Sequence, residues 1–267
     1  MGTRRPPIKL FLREYVAVVL WVCSTLAVFF LSDTEFLRSL NPNLHRFPPS
    51  QLFLSGLVIV MGVWEIFGLS LGSPFNPAIT LSLLVAGKLT ADDAVIMSVA
   101  QFLGHIFGTL LVRRGAEMMF EREAYSRFLP PQPSEQLSYS GAVMIEMGIT
   151  FLTCVLALSL DSFFDKGAVM KKWSIMTSIT VAMLASAGEW TGACMNPAMS
   201  LALSLLENVW KSQEVYWIGP IFGALLAAVS YRVCLVGRNR LLGKSSSQRA
   251  RDRQVARIRR RPHAKVE

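Results

Sequence analysis

Two copies of one tripeptide stand out for the chemistry they can do: Asn76, Pro77 and Ala78 recur 120 positions later as Asn196, Pro197 and Ala198. Asn is a favoured helix N-cap because its side-chain oxygen accepts a backbone N–H of the first turn. Pro suits the next position, where its missing N–H would have no partner anyway. The amide nitrogen of each Asn is left to donate elsewhere. Two such helix starts facing one another set about half a positive charge each at a common point. Amide donors on a positive background admit a neutral molecule with an acceptor oxygen, above all water, and oppose protons and cations. One Asn-Pro-Ala alone is most simply a capped helix. A given tripeptide arises roughly once in ten thousand positions at ordinary residue usage, so the duplication carries the argument.

The duplication extends beyond the tripeptide. LGSPFNPAITLSLL (71–84) laid over TGACMNPAMSLALSL (191–205) pairs Gly72 with Gly192, Thr80 with Ser200, Leu81 with Leu201 and Leu83 with Leu203. The apolar stretches 76–86 and 196–206 are each about 16 Å long as helices, half of a bilayer's hydrocarbon core. Backbone that stops at mid-membrane has to be buried in protein or line a cavity, because lipid offers its free N–H groups no partner.

Six longer apolar stretches supply the protein around them, at 15–31, 52–72, 94–112, 141–160, 173–188 and 215–236. Hydrophobic residues make up 52% of the 267-residue chain and charged residues 17%, a balance that favours a membrane protein. Each half has two spans, a half-length segment and a third span. Three spans per half is odd, so the halves lie inverted in the membrane and their short helices point their starts at each other. The expected fold is an all-α membrane protein with six transmembrane helices and two re-entrant half-helices in an inverted 3+3 repeat. A segment 1–13 precedes a channel domain at 14–237, with repeats at about 14–113 and 139–237, and a basic tail at 238–267 is expected to be disordered.

Charge orients this arrangement. The tail holds 11 Lys and Arg against Asp252 and Glu267, a surplus of nine that equals the net charge of +9 for the whole chain. Residues 1–13 add four basic residues and the 161–172 connector three lysines, whereas 113–138 balances four Arg against four Glu. Both termini are therefore expected in the cytosol. The tail suits anionic lipid headgroups rather than nucleic acid, since no recognition fold surrounds it. The first apolar stretch, at 17 residues, is long for a signal peptide and is read as a retained span. Pro6 stands where an N-myristoylation signal needs Ser or Thr.

These residues resemble the aquaporin (major intrinsic protein) family over about residues 10 to 237. The doubled Asn-Pro-Ala is joined by Glu14 and Glu146 in the first and fourth spans, Gln101 with Gly104 in the third, and WIGPIFGALLA (217–227) in the sixth. Within the family the chain is most similar to the small basic intrinsic proteins of plants and algae, through YVAVVLWV, KKWSIMTSITVAM, TGACMNPA, VYWIGPIFGA and the basic tail. The resemblance implies a homotetramer with one pore per subunit, Glu14 and Glu146 supporting the re-entrant loops, and an endoplasmic reticulum location, with the plasma membrane as the alternative. Arg4-Arg5, His263 and Lys265 imperfectly resemble basic retrieval signals.

The pattern departs from most water-selective relatives at the position after the second tripeptide, where Met199 replaces an Arg. The other filter positions implied by the resemblance are Gly56, Leu184 and Ala193. An apolar filter of this kind implies a passive channel for water that also passes small neutral solutes such as glycerol or hydrogen peroxide. Proton exclusion then falls to Asn76, Asn196 and the helix dipoles. Glu65 inside the second span is left open, with His105 as one partner, and so is the direction of Cys194. A mercurial on Cys194 would narrow the pore if it points inward.

Cys23, Cys154, Cys194 and Cys234 lie in or against apolar segments with no CxxC and no interleaved His, so no disulfide framework, metal site or cofactor is expected. No nucleophile with a base and no phosphate-cradling loop points to an enzyme. The rival readings are a secondary transporter, which also uses inverted repeats with broken helices, and a non-conducting scaffold.

Overall fold

The computed structural model describes residues 6–32, 73–119, 129–163 and 169–241, together with 39, 41–46 and scattered positions between 52 and 63. Among the described residues the chain is helical: α1 (Pro7–Ser32), a short 3-10 turn (Pro42–Arg46), α2 (Pro77–Val85), α3 (Ala91–Met119), α4 (Tyr139–Phe163), α5 (Val169–Thr191), α6 (Pro197–Glu207) and α7 (Val215–Leu241).

Four of these, α1, α3, α4 and α7, are long and apolar enough to cross a membrane. They correspond to the first, third, fourth and sixth expected spans. The fifth is α5, 23 residues long and less apolar, with Lys171, Lys172 and Glu189 near its ends. Most of the second expected span, including Glu65, lies outside the described residues. At 9 and 11 residues, α2 and α6 are too short to cross.

The spans are built inside out relative to a soluble core. Val95, Val99, Leu103, Phe107 and Leu111 form an exposed stripe at four-residue spacing on α3, and Ile218, Phe222 and Leu226 do so on α7. The opposite face of α3 buries Met97, Gln101, Gly104, His105 and Gly108. Large apolar side chains thus point outward, as a lipid-facing surface requires, while small and polar ones face other helices.

Glycines set the closest of these contacts. A Cβ at Gly104 would lie 2.8 Å from Val18 Cγ1 and one at Gly108 3.0 Å from Val22 Cγ1, so α1 and α3 approach at van der Waals limits. Gly219 and Gly223 do the same for α7 on α4, against the backbone of Val143, Met147 and Phe151. In each half the first span therefore packs on the third through a Gly-x-x-x-Gly face. The half-helices pack across the repeat: α6 lies against α3, α2 against α7, and the two touch each other.

Two helices outrun their apolar stretches. α3 continues through Met119 into the charged connector, where Arg113 pairs with Glu117 at 3.1 Å and with Glu207 of α6 at 2.8 Å. An i,i+4 pair on a helix end explains why the charges prolong the helix rather than break it. α7 runs to Leu241, four residues into the segment expected as tail.

Candidate functional site

The two tripeptides open α2 and α6 in the manner their residue types dictate. Asn76 is extended (φ −142, ψ 124) and accepts the Ala78 N–H at 2.8 Å; Asn196 (φ −133, ψ 103) accepts that of Ala198 at 3.0 Å. Each cap is worth about 1 kcal/mol, and Pro77 and Pro197 occupy the first turn without losing a hydrogen bond.

Before each Asn the chain turns through a left-handed residue, Phe75 (φ 56) and Met195 (φ 53). Neither is Gly, so each costs of order 1–3 kcal/mol and persists only because its surroundings hold it. The Phe75 N–H donates to Glu14 Oε1 at 3.1 Å and the Met195 N–H to Glu146 Oε2 at 2.8 Å. Their carbonyls face the other way and accept across the repeat: Asn76 Nδ2 donates to Met195 O at 2.9 Å and Asn196 Nδ2 to Phe75 O at 3.4 Å. These crossed bonds join the helix starts tip to tip, with their positive ends converging.

The two buried carboxylates anchor this clasp from behind. Glu146 Oε1 accepts from Thr191 Oγ1 at 2.7 Å and from the Cys194 N–H at 3.0 Å, while Tyr216 Oη donates to Thr191 O at 2.8 Å. Glu14 Oε1 also accepts from Gln101 Nε2 at 2.7 Å, and the same amide reaches Thr80 Oγ1 at 2.9 Å. Both Glu side chains are fully shielded from solvent, and a buried carboxylate is tolerable only with such donors.

Comparison with known families settles what this clasp belongs to. The family described as major intrinsic protein matches residues 5–231. The chain belongs to that family. Among curated members it is 29% identical over 188 residues to Aquaporin A of Dictyostelium discoideum, covering 69% of this chain and 65% of that one. It is 31% identical to Aquaporin TIP1-2 of Zea mays, covering 62% and 63%, and 31% identical to Aquaporin-8 of Mus musculus, covering 65% and 66%. The matches thus span just under two thirds of the length of these relatives. The solved aquaglyceroporin from Plasmodium falciparum superimposes with a TM-score of 0.65 at 16% identity, over 85% of this chain and 94% of that one. The fold is the inverted 3+3 helical fold of the family, and the protein is an integral membrane protein.

The four positions that the family resemblance assigns to a filter are distributed as follows. Leu184 and Ala193 share an apolar cluster with Ile149, Met183, Ala187 and Met195. Met199 packs instead with Phe75, Trp21 and Val112 around Val18 and Val22. A Cβ at Gly56 would lie 2.6 Å from Val28 Cγ1, so that position is closed against α1. Cys194 packs beside Ala142, Val215 and Tyr216, on the α4–α7 side rather than with Leu184 and Ala193. Among the described residues no group of three His, Cys, Asp or Glu gathers as metal ligands would.

One polar residue at the clasp was not singled out as a site residue from the sequence. His105 is fully buried, with Nδ1 2.7 Å from Gln101 O and Nε2 3.1 Å from Asn196 Nδ2. Both ring nitrogens are therefore occupied within the clasp. The signal was present as a lone His one turn after Gln101 on the inward face of an apolar helix, but nothing in the spacing named Asn196 as its partner.

Proposed function

We propose that this chain is a passive transmembrane channel for water that also passes small neutral solutes such as glycerol or hydrogen peroxide, and is not an enzyme. The observation that carries the reading is the pair of crossed bonds from Asn76 and Asn196 to the opposite loop carbonyls, which fixes two helix starts and their amides at one point. A permeant oxygen there meets a free amide hydrogen, whereas a cation meets two positive helix ends. The names of the relatives, three aquaporins and an aquaglyceroporin, support the same substrate class.

Finer features belong to the same proposal. The filter that family likeness assigns to Gly56, Leu184, Ala193 and Met199 is apolar, so discrimination against small neutral solutes is weak, with Leu184 and Ala193 clustered together and Met199 packed toward α1. Segments 1–13 and 238–267 and the 161–172 connector lie on the cytosolic side, with the basic tail against lipid headgroups. The subunits form homotetramers of the small basic subgroup in the endoplasmic reticulum membrane.

Stopped-flow shrinkage of proteoliposomes tests the reading. Sucrose is expected to drive fast water loss well above bare lipid, linear in gradient, and a glycerol gradient to dissipate faster than in protein-free vesicles. Water loss no faster than through lipid would overturn the channel, and saturable flux would indicate a transporter. A proton current comparable to the water flux would refute exclusion by the Asn pair.

A further inference from the structure

The crossed bonds use one amide hydrogen on each Asn; the second hydrogen decides what each presents to a permeant. Asn76 Nδ2 has Met195 O as its one partner among the described residues. Asn196 Nδ2 has two, Phe75 O and His105 Nε2. The capping bond to Ala198 fixes which end of the Asn196 amide is oxygen, so the atom facing His105 is a donor.

The tautomer of His105 follows from the same contacts. A carbonyl only accepts, so Nδ1 beside Gln101 O carries the proton. Nε2 then has the lone pair that Asn196 Nδ2 needs. The ring is held in place edge-on to Trp21 at 5.7 Å, and Trp21 in turn stacks on Phe75 at 6.4 Å.

Among the described residues no side chain acts on Asn76 in this way. Gly104 and Gly108 of α3 correspond to Gly219 and Gly223 of α7, an offset of 115, which matches His105 with Pro220, a side chain without a polar atom. The repeat thus pairs the free hydrogen of Asn76 with the one His105 takes from Asn196.

We infer that His105 is a positioning residue that withdraws Asn196 from the permeation path, leaving Asn76, of the two Asn, as the one with a free amide hydrogen among the described residues. This rests on the channel reading above. His105→Phe keeps a planar ring but removes the acceptor, so the second Asn196 hydrogen becomes available to a permeant oxygen. Gln at this position restores an acceptor.

Wild type, His105→Phe and His105→Gln are compared in proteoliposomes, with water permeability normalised to reconstituted protein. Unit permeability is expected to rise roughly two- to tenfold in the Phe variant, the rate equivalent of one net hydrogen bond, and to stay within about twofold of wild type in the Gln variant. Phe and Gln variants that behave alike, or a Phe variant at or below wild type, would overturn the inference. Wild type without flux above lipid would instead overturn the channel reading. A second measurement holds even if the Phe variant does not fold: nitrogen-15 histidine shifts of reconstituted protein with His45 and His263 replaced. An unprotonated Nε2 is expected, and a protonated Nε2 sinks the proposal.

Discussion

The two re-entrant loops do the same job with different donors. Phe75 and Met195 match in backbone conformation, in giving their N–H to a buried Glu and in offering their carbonyl to the opposite Asn. One residue earlier they part. Cys194 gives its N–H to Glu146, but its counterpart Pro74 has none to give. Glu14 takes its second bond from Gln101, a side chain of the third span, which also braces Thr80 on α2. In the other half Tyr216, matched to Gln101 at the offset of 115, braces the carbonyl of Thr191 instead. An inverted repeat thus preserves where a carboxylate and a turn must be, while the donors that satisfy them are free to come from backbone or side chain.

The difference can be broken from either side. Cys194→Pro should have the largest effect, because it removes a donor from Glu146 and forces Ala193, left-handed at φ 47, toward extended backbone. A loss of about 3 kcal/mol or more is expected, read as the absence of monodisperse protein after detergent extraction. Glu146→Gln comes next: both carboxylate oxygens accept hydrogen bonds, and an amide nitrogen in place of either meets a donor. About 3 kcal/mol should be lost on thermal melting in detergent, against about 1 kcal/mol for Glu14→Gln, where the bonds from Phe75 and Gln101 both fall on one oxygen. Equal losses would show that the two anchors are equivalent after all.

Helix contact gives a smaller contrast. Gly223→Ala drives a methyl into the backbone of Met147 and Phe151, which cannot give way, whereas Gly104→Ala meets the Val18 side chain first. About 2–3 kcal/mol is expected for the former and about 1 for the latter, by the same melting assay. Least of all, Cys194→Ser should leave water flux and any inhibition by mercury nearly unchanged, since this thiol packs beside Tyr216 and away from Leu184 and Ala193. Mercury sensitivity that disappears with the change would put the thiol in the water path.

Much of this was readable in the residues. Asn followed by Pro fixes a helix start by local chemistry alone, and an 11-residue apolar segment cannot cross a bilayer wherever it sits. Glu14 and Glu146 were identifiable through family likeness, and the donors they meet were not. The left-handed turns at Phe75 and Met195 gave no warning, because bulky residues have no local preference for that conformation and adopt it only when both peptide groups are captured from outside.

Local composition and periodicity determined the spans, the half-helices, the inversion and the capped starts, because these depend on neighbours a few residues apart. Tertiary structure decided which amide hydrogens remain free, since His105 reaches Asn196 across 91 positions and Phe75 reaches Glu14 across 61. Hydrogen bonds of that range depend on helix approach distances set by Gly104, Gly108, Gly219 and Gly223 to within tenths of an ångström. No single stretch of chain encodes such a distance.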